Sequence, residues 1–564
     1  MKKIYRNICV VAALMAAGTV AAQNLDPTVE ISRAYEGKIA EANKPVREMT
    51  VPDSLSTFRL DFDYSVFEKP YRGAYDFSPY SMSMRPAAAS YDPRTFYLKV
   101  GAGYRLHPEL DLIWSPSLKN GLSLDVYAEH NSYVGDYRQI GLVQYDATSY
   151  GLDWADKQRW KGYDLMTKAG ANLNYGWNAG IFGFNVNYFG IAGKESAGTR
   201  AYDAVDVNLS LSSNKDAKKN FVYRASLYYR FGEDNMHYGE QSYLDEHLLS
   251  LGVSLGPVFK HGHRIVFDFG FDGALYRSKF NSSAAKIYFV PHYLFNKGRF
   301  TLDAGVRLDA GLSSNPQQFV YPDIKMDFVV IKDAMSLYAA ITGGASMNLY
   351  SKIMGKNHHF NLAAYKYPGA TFLIPDMVRV KPTLGIKGRI MSEFSYDLRG
   401  GYVCYANSLV SAIDMSGPNP LPAIGFAAYQ KAFAALDWRW DAESFKFDGA
   451  VTYTHSWGFK RADWTFAPAM LTGNVAFEYN WMKRIYAGVD CSFSTSQKLL
   501  VPSAEVLSAK IPGYADLGIS AEYVHNRKLS FWLRGGNLCC MTIQRTPLYA
   551  EGGISFTAGI CLNL

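Results

Sequence analysis

Charged side chains set at every second residue of otherwise apolar segments are the feature of this sequence with the most chemical content. Asp268 stands between Phe267 and Phe269, and Asp303 and Arg307 alternate with Leu302, Ala304, Val306 and Leu308. Asp397 and Arg399 alternate with Tyr396 and Leu398, Asp437 and Arg439 with Leu436, Trp438 and Trp440, and Arg534 follows Phe531-Trp532-Leu533. In an extended chain such charges share one face, where they can pair, solvate a water-filled space, or replace the hydration shell of a polar solute. Hydrolytic chemistry is not readable. His130, His237, His455 and the His358-His359 pair have no Ser or Asp at an interpretable spacing, and Gly-x-Ser-x-Gly, GxxxxGK[ST] and HExxH are absent. Beyond residue 22 the cysteines are Cys404, Cys491, Cys539, Cys540 and Cys561. They lack ligand spacing, and their odd number makes no disulfide framework. The expectation is no enzyme, no cofactor and no metal.

The elements that must carry these charges are strands. In 300–312 every even position is apolar and every odd one is polar, charged or Gly. The same split recurs in 221–231, 265–272, 122–129 and 394–399. A water-soluble sandwich would have to bury one face, and repeated Asp and Arg there would be prohibitive. Turning the apolar face to lipid and the charged face to an aqueous lumen removes the conflict. Composition agrees: 84 of 564 residues are aromatic and only 19% are charged, which excludes a disordered chain. Beyond the N terminus no apolar run is long enough to cross a bilayer as a helix.

Short polar turns are expected near Asn120-Gly121, Asn178, Asn214-Lys215, His261-Gly262, Asn296-Lys297, Lys332-Asp333, Ser392-Glu393, Asp441-Ala442, Met482-Lys483 and Asn526-Arg527. Longer irregular connections fall at 134–160, 350–375, 406–422 and 496–512. Tyr145, Tyr150, Trp154 and Trp160 lie in the first; Tyr350, His358, His359, Tyr365 and Tyr367 lie in the second. Short turns at one end and long loops at the other describe an all-β, transmembrane antiparallel barrel. The count is about 22 strands, within 20–22, with both termini periplasmic. Trp438, Trp440, Phe477, Tyr479 and Trp481 gather before short turns on the apolar face, as a lipid-interface girdle requires.

The first residues read as an export signal. Lys2, Lys3 and Arg6 precede the apolar run 8–20, and Val20-Ala21-Ala22 forms a small-residue cleavage site. Cleavage would leave 55 basic against 51 acidic residues, too even a balance for a nucleic-acid partner. Residues 23–94 contain seven prolines and few clean alternations, so they read as an extended periplasmic tail. The barrel is assigned to 95–564. Of the tail, 55–94 carries Tyr64, Phe67, Tyr71, Arg59, Asp61 and Asp63 among other side chains suited to lumen walls, and 23–50 is left to face a periplasmic protein.

Two segments carry a family resemblance. The C-terminal run 553–564 alternates to the last residue, and its Gly559, Leu562 and Leu564 resemble the assembly signal read by the barrel-insertion machinery, with Leu564 where that signal usually has an aromatic. Upstream, Ile519-Ser520-Ala521-Glu522-Tyr523, Asn526 to Arg534, and Asn537-Leu538 look like the closing strands of TonB-dependent receptor barrels. Pro27-Thr28-Val29-Glu30, Arg33-Ala34-Tyr35 and Ala42-Asn43-Lys44-Pro45 are similar to the start of plugless, TonB-receptor-like barrel proteins of Bacteroidota. The tail is about half the length a globular plug needs.

The resemblance implies an outer-membrane protein for uptake or passage of a polar solute. The eight charged residues Asp268, Asp303, Arg307, Asp397, Arg399, Asp437, Arg439 and Arg534 would then line its lumen. The alternative is a non-transporting outer-membrane scaffold or assembly protein that docks a periplasmic or surface partner. Its surroundings would be outer-membrane lipid in either case. The mature chain should begin at Gln23; N-terminal sequencing of protein from outer-membrane fractions checks this, and recovery of Met1 would contradict it.

Overall fold

The computed structural model describes residues 95–564 apart from 105–107, 140, 145–149, 154–158, 195–197, 214–220, 239–240, 260–262, 279–280, 312–317, 333, 357–358, 360–373, 391–392, 415–420 and 501–509. Residues 1–94, and with them the export signal and the tail, lie outside the described residues. Twenty-two strands follow one another. They are β1 (Phe96–Tyr104), β2 (Glu109–Trp114), β3 (Leu122–Gln139), β4 (Arg159–Trp177), β5 (Gly180–Lys194), β6 (Thr199–Ser213), β7 (Phe221–Tyr238), β8 (Gln241–Pro257), β9 (Arg264–Arg277), β10 (Ser282–Lys297) and β11 (Phe300–Gly311). Then come β12 (Gln318–Ile331), β13 (Met335–Ser346), β14 (Asp376–Ile390), β15 (Phe394–Asp414), β16 (Leu421–Asp441), β17 (Phe445–Lys460), β18 (Leu471–Trp481), β19 (Ile485–Ser494), β20 (Tyr514–Asn526), β21 (Leu529–Gly536) and β22 (Ser555–Asn563).

Each strand pairs antiparallel with the next, and β22 pairs with β1 through Tyr97↔Asn563 to Tyr104↔Phe556, so the sheet closes into a barrel. The seam is tight. The carbonyl of Leu564 accepts the amides of Thr95 and Phe96 at 3.0 and 2.9 Å. A Cβ at Gly559 would come within 2.0 Å of the Val100 carbonyl and 2.7 Å of the Trp532 ring, so only glycine fits there.

The expected short turns fall at or between the ends of consecutive strands; Asn214-Lys215, His261-Gly262, Asp333 and Ser392 lie outside the described residues. At Asn120-Gly121 both φ angles are positive, 63° and 74°, which Asn-Gly adopts at little steric cost. At the other end the sequence-based expectation needs correction. Strands are not limited to the nine to eleven residues that a membrane crossing requires. β15 and β16 have 21 residues each, and together they turn most of 406–422 into a paired hairpin rather than an irregular loop. Part of 134–160 is likewise ordered: β3 continues to Gln139, and Gly141–Gln144 pairs with Tyr150–Asp153.

Side chains alternate as the period-two pattern requires. On β8 the exposed residues are Tyr243, Leu249, Leu251, Val253 and Leu255, while Leu244, Glu246 and Leu248 are buried. On β9 Phe269 is 48% exposed and its neighbour Asp268 is 6% exposed. Exposed aromatics recur near the short turns: Tyr175, Tyr293, Phe328, Trp440, Trp481 and Tyr523 lie on six different strands. An arginine at Phe269 or Val306, on the exposed apolar face, should cost about 2–4 kcal/mol of folding stability in a bilayer. Asp303→Asn, on the opposite face, should cost much less, as reversible urea titration in vesicles would measure.

Candidate functional site

The face opposite the exposed hydrocarbon carries a distributed set of ion pairs, some within one strand and some between strands. His292 on β10 links two of the sequence-predicted residues, with Nε2 2.7 Å from Asp268 and Nδ1 3.1 Å from Asp303. Ser254 Oγ donates to Asp268 at 2.5 Å. Arg307 pairs with Asp309 at 2.9 Å and lies over the Tyr288 ring. Asp397, Arg399 and Asp437 form one group: the guanidinium is 3.2 Å from the first carboxylate and 2.5 Å from the second, and Tyr338 donates to Asp397 at 2.6 Å. Arg439 pairs with Asp441 at 3.2 Å near a short turn. Arg534 binds Glu109, which is also 3.7 Å from Lys99. The eight predicted residues therefore share a face but not a single cluster.

A more concentrated site comes from a segment that the alternation did not reveal. Between β13 and β14 the chain forms a helix, α1 (Tyr350–Lys356), where an irregular exposed loop was expected. Tyr350, Ile353 and Met354 fall on one helical face by their spacing, and all three are fully buried. They pack with Leu244, Leu248, Ala274 and Tyr276 of β8 and β9, and with Leu409 and Ile424 of the β15–β16 hairpin. The helix thus joins two sectors of the barrel at the long-loop end.

Polar contacts fix it in place. The Tyr350 amide donates to Glu246 at 2.8 Å and is 2.9 Å from the Tyr276 hydroxyl. The Tyr350 hydroxyl donates to Asp234, and Arg200 Nε lies 3.4 Å from the same carboxylate. Tyr202 and Tyr276 donate to Glu246 at 2.7 and 2.9 Å. Burial, with Asp234 beside it, holds the Tyr350 phenol well above its ordinary pKa, so the hydroxyl remains a donor. On the other side Asp376 receives the side chain of Asn348 at 3.1 Å, Lys352 at 3.5 Å and the Leu409 amide at 2.7 Å.

Other long connections also fold onto one another. Thr465 bridges to Ala412, Thr465–Phe466 pairs with Leu499 and Leu500, and Gln497-Lys498 pairs with Lys510-Ile511. Tyr549–Gly552 extends the sheet beside the end of β3 through Tyr549↔Gln139. His359, expected in an exposed loop, is buried between the Tyr137 and Tyr549 rings. His130 and His455 lie inside β3 and β17, His130 bonding Thr167 at 2.8 Å. His358, Tyr365 and Tyr367 lie outside the described residues. Asn537 adopts φ 48° and exchanges hydrogen bonds with Met541, 2.9 and 2.8 Å, to open the last loop. Among the described residues no group of three or more His, Cys, Asp or Glu could hold a metal ion.

Comparisons with known proteins bear on the fold. No family model matches the chain, and no curated protein matches its sequence. Solved structures do match it. The siderophore receptor PirA from Acinetobacter baumannii superposes with a TM-score of 0.60 at 10% identity, covering 83% of this chain and 80% of that one. The copper transporter OprC gives the same figures. A variant of the ferric enterobactin receptor PfeA from Pseudomonas aeruginosa superposes at 0.58 with 11% identity, covering 84% and 80%. This chain therefore shares their barrel fold.

Tyr350→Phe removes a donor from the buried Asp234 carboxylate and should weaken the docking of α1 by about 1–3 kcal/mol. Hydrogen exchange at the 350–356 amides should accelerate accordingly; unchanged protection would show that apolar packing alone holds the helix.

Proposed function

We propose that this chain is an outer-membrane barrel through which a polar solute passes. The observation that carries the reading is the closed 22-strand barrel, with hydrocarbon exposed on one face and ion pairs on the other, in a fold shared with siderophore receptors and a copper transporter. In this reading Asp268, Asp303, Arg307, Asp397, Arg399, Asp437, Arg439 and Arg534 line the lumen. Paired charges there keep water and a hydrated solute at low cost, because each charge is already partnered. Residues 1–22 direct export, Gly559, Leu562 and Leu564 present the strand that the insertion machinery reads, and 23–94 remain on the periplasmic side. A plugless, TonB-receptor-like origin in Bacteroidota and a periplasmic partner for 23–50 belong to the same proposal. Chemistry on the solute is not part of it.

One observation favours the scaffold reading. At the long-loop end α1 links β8 and β9 to the β15–β16 hairpin, and this reading takes it to narrow the path. Conductance in planar bilayers separates the two. Replacing 348–356 with a short Gly-Ser linker should raise single-channel conductance severalfold in the transport reading, and excising 23–94 should add a further step if 55–94 occupies the lumen. Low, equal conductance in the parent and in both variants would favour a scaffold.

A further inference from the structure

Two adjacent short turns, one of which breaks the usual sequence rules, carry side chains that the passage of solute does not use. The first joins β18 to β19 with Met482 and Lys483 at φ 53° and 57°, closed by the Arg484 amide on the Trp481 carbonyl at 3.0 Å. The connection has three residues, since Trp481 pairs with Ile485; a β-turn with both centres left-handed is ordinarily filled by Asn-Gly, and bulky side chains there are strained. Met482 is nonetheless 83% exposed, more than any other large apolar side chain among the described residues, and Trp481 beside it is 59% exposed. The second turn joins β20 to β21. Asn526 Oδ1 accepts the amides of Lys528 and Leu529 at 2.8 and 3.0 Å and so holds Arg527-Lys528 at the tip.

These turns are neighbours, because Ile485 pairs with Tyr523 and the Val524 amide donates to the Arg484 carbonyl at 2.8 Å. Arg484, Arg527 and Lys528 are exposed, with Lys483 half-exposed between them. Neither turn contains a carboxylate; the chain terminus approaches through the Asn563 amide on the Lys528 carbonyl at 2.9 Å. Directly along the strands from these cations the outward face is apolar and aromatic, with Trp481, Ile485, Tyr523 and Phe531 all exposed.

We infer that this pair of turns is a binding site for an anionic phospholipid of the leaflet that the short turns face, its phosphate held by Arg484, Arg527 and Lys528 and its acyl chains lying on Trp481, Ile485, Tyr523 and Phe531. The inference rests on the membrane-barrel reading above. Cations set just beyond an aromatic belt meet phosphates at headgroup height, and each basic side chain near an anionic surface adds to the attraction. An acidic peptide would account for the cations but not for the exposed Met482 at the tip of the turn. A lipid accounts for both, since Met482 enters the interface beside the headgroup.

The test uses the full mature chain, delipidated in detergent and titrated with phosphatidylglycerol or phosphatidylcholine, with bound lipid counted by native mass spectrometry. The wild type should retain phosphatidylglycerol in preference to phosphatidylcholine. The triple variant Arg484→Gln, Arg527→Gln, Lys528→Gln should bind it roughly a hundredfold more weakly. A control triple at other short turns, Lys297→Gln, Arg299→Gln and Lys332→Gln, should bind as the wild type does. Equal loss in both triples, or none in the first, overturns the site, as does a triple-sensitive affinity for poly-glutamate that exceeds the affinity for phosphatidylglycerol. Failure of the wild type to insert into vesicles of either lipid would contradict the membrane-barrel reading itself, a result distinct from loss of lipid preference.

Discussion

A sheet exposed to hydrocarbon must pair every backbone N–H and C=O, since each one left open costs several kcal/mol. Here that requirement is met by the pairing of β1 with β22. Closure removes the sheet edges, and all-antiparallel closure demands an even number of strands with both chain ends at one rim. The Leu564 amide on the Phe96 carbonyl, 2.8 Å, and the return bonds from Thr95 and Phe96 are the local expression of that constraint. Gly559 follows from it too: the last strand must approach β1 and the Trp532 ring too closely for any side chain at that position.

Once the sheet is closed, its two faces meet different solvents and diverge in chemistry. The outward face keeps Leu, Val and Phe exposed; the other gathers carboxylates that cannot be buried unpartnered. Several find a cation on the adjacent strand: Asp206 with Arg230, Asp437 with Arg399, Asp268 with His292. Glu246 and Asp234 matter most, because besides Tyr276 and Arg200 of the adjacent strands both are bonded by Tyr350 of α1. The wall and the segment that crosses it are therefore one hydrogen-bonded unit, and neither is complete without the other.

The strands were legible because a two-faced wall writes a period of two into the sequence, as in Phe300–Gly311, and because turn chemistry at sites such as Asn120-Gly121 and Asn526 punctuates it. Legibility failed where both faces of a strand are covered. Leu409, Val410, Ala412 and Ile413 are all buried, so the upper β15–β16 hairpin loses its alternation and reads as loop. It failed again at α1, where Tyr350, Ile353 and Met354 span a single turn, too short to establish a helical period. For the charged residues the face could be read but the partners could not. Arg399 and Asp437 are 38 residues apart, and only the strand register brings them together. Around Asp234 and Glu246 polar residues crowd both faces, which hid the inward pair that anchors the helix.

The account depends most on the claim that alternate residues of one strand face lipid and water. Nitroxide labels placed singly along 247–255 of β8 in a cysteine-free chain, reconstituted in vesicles, test it through collision with oxygen and with a water-soluble nickel chelate. The account predicts oxygen maxima at Leu249, Leu251, Val253 and Leu255 and nickel maxima at Ser250, Gly252 and Ser254, two period-two profiles out of phase, with Leu248 shielded from both reagents beneath α1. Profiles in phase, or with the two sets exchanged, would contradict it.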